Sequence, residues 1–273
     1  MDIYERVKAF YKEVEIEKRI IGKSTFGRDV YAMKVGFGTP CGIAQYAIHG
    51  REYITALLAI EQYKIGVYKG SCWFIPLVNP DGALLSQIGI SSVEDERTRL
   101  KLMEMNGGSF DFSLWKANGR GVDLNVNFSA RWGTGVKNVT VAGRENYIGP
   151  HPFSETESLA LKRFTENIRP DYTVSYHTKG EEIYWRFHQD GRREIRDKRL
   201  AETLAKVTGY PLKEAEGSVG GYKDWCVEKL LIPSFTLEAG DDKWVHPLDE
   251  RALEEMVNKN GRAIWELSKA MEG

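Results

Sequence analysis

Gly42-Ile-Ala-Gln-Tyr-Ala-Ile-His-Gly-Arg-Glu-Tyr-Ile-Thr55 is an apolar run that ends in His49, with Glu52 three residues further on. The run reads as a buried strand, and a helical pattern opens at Glu52. Open α/β sheets place ligands beyond the carboxyl ends of their parallel strands, so this strand stops where chemistry begins. An imidazole and a carboxylate at that point are two candidate ligands of one metal. A catalytic zinc takes three protein ligands and an open position for water, which the rest of the chain has to complete.

Outward from that stretch, strands and helices alternate. Residues 2–14 carry Ile3, Val7, Phe10, Tyr11 and Val14 at helical spacing, and residues 19–24 and 30–35 alternate like two strands of a hairpin. The spacing predicts a helix over 52–68 and an apolar strand over 71–78, a strand–helix–strand unit that forces a parallel pair. Asn79-Pro-Asp-Gly reads as a turn cluster. From there to Gly121 the chain is irregular apart from a helical stretch at 94–105, and long irregular segments inside a compact domain are usually functional. Ser154-Glu-Thr-Glu157 reads as a capping box opening a helix that Pro170 stops. Residues 172–177 form a second β-rich run ending in a histidine, His177. A helix over 190–208, a Gly220-Gly loop entering a helix, a strand over 232–238 ending in Glu238, and one long helix over 248–271 complete the pattern. No repeat, low-complexity tract or linker appears, so residues 1–273 read as one domain.

Composition bounds the partners. Of 273 residues, 42% are hydrophobic, and 38 basic against 39 acidic side chains leave a net charge of −1. That balance offers no field for nucleic acid or an anionic membrane and points to a small or neutral substrate. Cys41, Cys72 and Cys226 are odd in number and widely spaced, as expected of reduced core residues. The N-terminal residues show no signal-type apolar segment, and the expectation is a cytoplasmic protein. The oligomeric state is left open.

Three strand ends thus present His49 with Glu52, His177, and Glu238. Two imidazoles and one carboxylate are a complete catalytic zinc set, and the remaining carboxylate is free to act as general base on a metal-bound water. Glu52 and His177 lie 125 residues apart (177 − 52), far beyond finger-type spacings, so the site is tertiary. His151 and His246, each before a proline, read as turn residues, His188 as a surface-loop residue, and Glu181 with Glu182 as a loop pair.

His49-Gly-Arg-Glu52, Asn79-Pro-Asp-Gly, Gly121-Val-Asp-Leu-Asn, His177, Gly220-Gly-x-x-Asp-Trp225 and Phe235-Thr-Leu-Glu238 together resemble, in order and spacing, the zinc carboxypeptidases of the carboxypeptidase A type. The resemblance implies an α/β fold with a twisted mixed, largely parallel central sheet of about eight strands and helices on both faces. It implies one Zn²⁺ per chain on His49, Glu52 and His177, Glu238 as base and proton shuttle, and Asp123 accepting from the other ring nitrogen of His49. It also implies that Arg51 and Asn125 bind substrate, and that Lys116 stands where the family usually has an arginine that polarises the scissile carbonyl.

The departures carry information too. The family's carboxylate-clamping arginine is Val126 here, and its mobile tyrosine falls at Glu216, with Tyr222 as the candidate substitute. Lys223 stands where the family sets side-chain specificity, and a cation there favours an anionic group on the leaving residue. These features, with Trp115-Lys-Ala-Asn and His177-Thr-Lys-Gly-Glu-Glu-Ile-Tyr-Trp, resemble the bacterial γ-D-glutamyl-meso-diaminopimelate peptidase branch. That resemblance implies a small, muropeptide-like substrate. The competing expectations are a conventional carboxypeptidase and an inactive zinc-dependent peptide-binding protein.

Overall fold

The computed structural model describes residues 1–214 and 217–271, and Glu216 lies outside them. Eight strands form one mixed sheet: β1 (Lys18–Lys23), β2 (Asp29–Gly36), β3 (Cys41–Tyr46), β4 (Ser71–Ile75), β5 (Tyr172–His177), β6 (Glu182–Arg186), β7 (Leu212–Glu214) and β8 (Ser234–Glu238). Their order across the sheet is β1-β2-β4-β3-β5-β8-β6-β7. The β4-β3-β5-β8 centre is wholly parallel, while β1-β2, β2-β4 and β6-β8 are antiparallel. The chain leaves β3 for β4 on one side and β5 reaches β8 on the other. The switch point between β3 and β5 is therefore the crevice in which such sheets bind ligands.

The pleat sorts the side chains. Ala44, Tyr46, Val174, Tyr176, Phe235 and Leu237 face one layer of helices, joining residues of α2 (Thr55–Ile65), α6 (Gly191–Thr208), α8 (Leu253–Asn260) and α9 (Ala263–Ala270) in a continuous apolar core. On the other face Ile43, Trp73 and Ile75 meet Leu161 and Phe164 of α5 (Thr156–Ile168) and Tyr222 and Trp225 of the short helix α7 (Tyr222–Trp225). The result is one α/β domain with helices on both faces. Among the described residues no helix is long and apolar enough to cross a membrane.

A buried polar set ties the two histidine-bearing strands to α2. Gln62 donates to the Tyr176 hydroxyl (2.8 Å) and the Asn260 carbonyl (2.7 Å) and accepts from the Tyr46 hydroxyl, while Tyr46 and Tyr176 stack at 4.9 Å.

Three local expectations change. Asn79-Pro-Asp-Gly starts a helix, α3 (Pro80–Ile88), with Asn79 as its N-cap; proline at the first helical position and asparagine before it favour a helix start as much as a turn. Ser154 does not cap α5: it donates instead to the Glu155 side chain, and Glu157 is occupied by Thr25. The C-terminal helix is two, α8 and α9, parted at Gly261. Strands β6 and β7 were not legible in the sequence, being short and rich in charge.

Candidate metal centre and peptidase site

Beyond β3 the backbone turns at Ala47 and enters a 3₁₀ turn, Gly50–Glu52. With three residues per turn, His49 and Glu52 come to one side. Thr55 fixes that turn, accepting from Ala47 N (2.9 Å) and donating to the Glu52 carbonyl (2.9 Å). Gly50 is needed because a Cβ there would lie 2.4 Å from the Gly82 carbonyl oxygen and 2.7 Å from that of Trp115. Its amide donates to the Lys116 carbonyl at 2.9 Å, bringing the 116–123 segment against the ligand turn.

His177 ends β5 in register with Glu238 at the end of β8. His49 Nδ1 lies 2.8 Å from Glu52 Oε1, His177 Nδ1 3.0 Å from Glu52 Oε2, and the two Nδ1 atoms 3.1 Å apart. All three residues are buried. Two imidazole nitrogens and a carboxylate converging this tightly fit a zinc ion, whose bonds to such donors are about 2.0–2.2 Å. Burial opposes ionisation of Glu52, but the neighbouring imidazoles outweigh it and hold its carboxyl well below the usual range. The other acidic grouping, Glu181, Asp241 and Glu255, is all carboxylate and is taken up by Lys259 and Lys243.

The fully buried carboxylate of Asp123 stands behind this set. Its Oδ1 is 3.2 Å from His49 Nε2 and its Oδ2 2.8 Å from Lys116 Nζ. Burial would raise its pKa, but Lys116 and His49 hold the carboxyl well below the usual range. Burial would lower the Lys116 pKa, but the Asp123 carboxylate outweighs it and holds the ammonium above its usual range. Burial pushes Glu238 up to about 7; His177 and Lys116 draw it down, and Glu52 and Glu182 oppose them.

Arg51 reaches Glu145 at 3.4 Å, both side chains partly exposed. Asn125 is half-buried, with its side-chain oxygen accepting from Tyr222 N at 3.2 Å. Tyr222 is a correction. Its ring is fully buried against Phe128 and Trp225 and its hydroxyl meets Thr165 at 2.9 Å, so it does not face substrate. Lys223 is neither a free pocket cation nor a solvated charge: it is 6% exposed, pairs with Asp224 (2.7 Å) and donates to the Arg186 carbonyl (3.1 Å). Glu181, read as a loop acid, pairs with Lys259.

Two contributors escaped the sequence reading. Asn79 Nδ2 donates to the carbonyls of Ile48 and Ala117, both at 3.1 Å, clamping the chain beside His49 to the chain beside Lys116. His246 Nε2 lies 3.1 Å from both the hydroxyl and the carbonyl of Thr178, whose amide donates to Glu52 Oε2 at 3.3 Å. Burial holds the His246 imidazole below its usual range. The Asn79-Pro-Asp-Gly cluster was the available signal for the first; the His-Pro pair concealed the second.

Comparison with known proteins agrees with this geometry. The chain is 29% identical over 249 residues to gamma-D-glutamyl-L-diamino acid endopeptidase 1 of Lysinibacillus sphaericus, an alignment covering 84% of this chain and 62% of that protein, so it spans less than two thirds of that relative. It is 32% identical over 125 residues to murein peptide amidase A of Escherichia coli K12, covering 42% of this chain and 48% of that one. The fold matches the structure of bovine thrombin-activatable fibrinolysis inhibitor with a TM-score of 0.77 at 19% identity, over 100% of this chain and 97% of that one. The zinc carboxypeptidase family matches residues 7–262, nearly the whole chain, and the protein belongs to that family.

Proposed function

We propose that the protein hydrolyses the γ-D-glutamyl–diaminopimelate bond of murein-type peptides, with His49, Glu52 and His177 as the zinc ligands. The observation that supports the metal role most is the convergence of three buried side chains, whose facing nitrogen and oxygen atoms lie 2.8–3.1 Å apart. When bound there, Zn²⁺ supplies a Lewis acid and a water acidified toward a pKa of ~7.

The chain's own groups do the rest. Glu238, on the strand beside His177 and half-open to the cleft, takes a proton at its carboxylate and returns it to the leaving amine. Lys116, held by Asp123, places a cation where the carbonyl oxygen gains charge. Asp123 orients His49 through its Nε2, fixing the tautomer that leaves Nδ1 free. Arg51 lines the substrate cleft, and Asn125 hydrogen-bonds a substrate carboxylate. Val126 in place of a carboxylate-clamping arginine supports a substrate other than an ordinary C-terminal residue, and the likeness to the Lysinibacillus endopeptidase supports the γ-D-glutamyl linkage.

The test compares kcat/KM for L-Ala-γ-D-Glu-meso-diaminopimelate with that for blocked α-linked dipeptides. A preference of at least tenfold for the γ-linked peptide is expected; the reverse preference would make the protein a conventional carboxypeptidase.

A further inference from the structure

The register that sets His177 beside Glu238 continues across β6 and β7. Glu182 pairs with Glu238, Tyr184 with Thr236, and Lys213 with Tyr184, so all of these share the face that carries the catalytic centre. Cross-strand partners lie about 4.5–5.5 Å apart at Cβ, which makes Glu182 the immediate neighbour of the base on the cleft wall. Two like charges directly opposite each other destabilise a sheet, so a second carboxylate there is a costly placement.

Glu182 is open: its side chain is 30% exposed, it accepts from the Tyr184 hydroxyl at 2.8 Å, and Lys213 Nζ stands 3.4 Å away, 48% exposed. An acid and an ammonium thus form a half-exposed ion pair at 3.4 Å on one wall. Deeper on the same face the wall stays polar. Ser175, paired with Thr236, and Gln45, paired with Ser175, are buried, and the Ser175 hydroxyl and both Gln45 amide atoms meet no partner among the described residues. Buried polar groups are nearly always bonded, so this is not the lining of a pocket for an aliphatic or aromatic side chain. Of the other cations nearby, Lys223 is balanced by Asp224, and Arg186 by Glu194 and Glu214, which leaves neither free to attract a simple anion.

We infer that Glu182 and Lys213 are specificity-determining residues that together bind an amino-acid head, an ammonium and a carboxylate on one carbon, at the end of the leaving residue's side chain. Glu182 accepts from the ammonium and Lys213 donates to the carboxylate. The inference rests on the function proposed above and names which groups read the second head of the diaminopimelate.

The test measures kcat/KM for L-Ala-γ-D-Glu-X with X as meso-diaminopimelate, L-lysine or L-alanine, in the wild type, Glu182→Gln and Lys213→Met, with binding of free meso-diaminopimelate to each by calorimetry. Glu182→Gln is expected to lower the diaminopimelate-to-alanine and lysine-to-alanine ratios at least tenfold. Lys213→Met is expected to lower only the diaminopimelate-to-alanine ratio, and both to weaken meso-diaminopimelate binding. Ratios unmoved in either variant, with wild-type cleavage intact, would overturn the inference and leave the proposed function standing. A wild type that cleaves none of the three peptides would overturn both.

Discussion

Asp123 Oδ2 lies 2.8 Å from Lys116 Nζ, while its other oxygen stands 3.2 Å from His49 Nε2. One buried carboxylate therefore touches both an imidazole of the candidate metal centre and the cation beside it. Asp123→Ala would loosen both, leaving Lys116 buried without its counter-charge. Loss of such an outer partner typically weakens metal affinity about 10–100-fold. Chelator-competition titration of zinc should show that drop, and an unchanged affinity would remove Asp123 from the metal centre.

Lys116→Met should lower kcat by roughly 10²–10³ with a smaller change in KM, the usual consequence of losing one oxyanion donor. Lys116→Arg should restore part of the rate, since a guanidinium reaches the same region with its charge intact. Steady-state kinetics of the two variants check this, and a loss confined to KM would reassign Lys116 to ground-state binding.

Tyr222→Phe separates the sequence reading from the structure. With its hydroxyl on Thr165 inside the core, the variant should lose about 1 kcal/mol of stability, the worth of one hydrogen bond, and keep kcat within about twofold. A hundredfold fall in kcat at normal stability would return Tyr222 to the substrate.

Much of this was readable beforehand because metal chemistry leaves a sparse signature. His49, Glu52, His177 and Glu238 each end or follow an apolar run, and the parallel centre of the sheet had to bring those ends together. Lys223 and Tyr222 were misread because residue type does not say which way a side chain leaves a four-residue helix; packing against Phe128 and Phe187 decides that. The β6-β7 edge was invisible for the opposite reason. Its alternation of Glu182, Tyr184 and Arg186 with Ile183 and Trp185 is a half-buried strand, but its charged residues read as loop.

Away from the metal centre, Glu157 makes stability depend on pH. Burial and the nearby Asp81 carboxylate raise it from 4.5 to about 7 in the folded chain. A carboxyl with a raised folded pKa binds its proton more tightly when folded. Its contribution is therefore full below about pH 4.5 and is lost as pH rises through about 7, by up to ~3 kcal/mol. Denaturant titrations from pH 5 to 8 should show that decline, and Glu157→Gln should flatten it; an unchanged slope in the variant would place the titrating group elsewhere.

In the proposed mechanism His49, Glu52 and His177 hold a zinc ion with which Glu238 acts as base. The direct test is zinc content and turnover of L-Ala-γ-D-Glu-meso-diaminopimelate measured together on the wild type, Glu238→Gln and His49→Ala. The expected result is one zinc and full turnover in the wild type, one zinc and at least a hundredfold slower turnover in Glu238→Gln, and loss of both in His49→Ala. Near-normal turnover in Glu238→Gln, or stoichiometric zinc in His49→Ala, would contradict it.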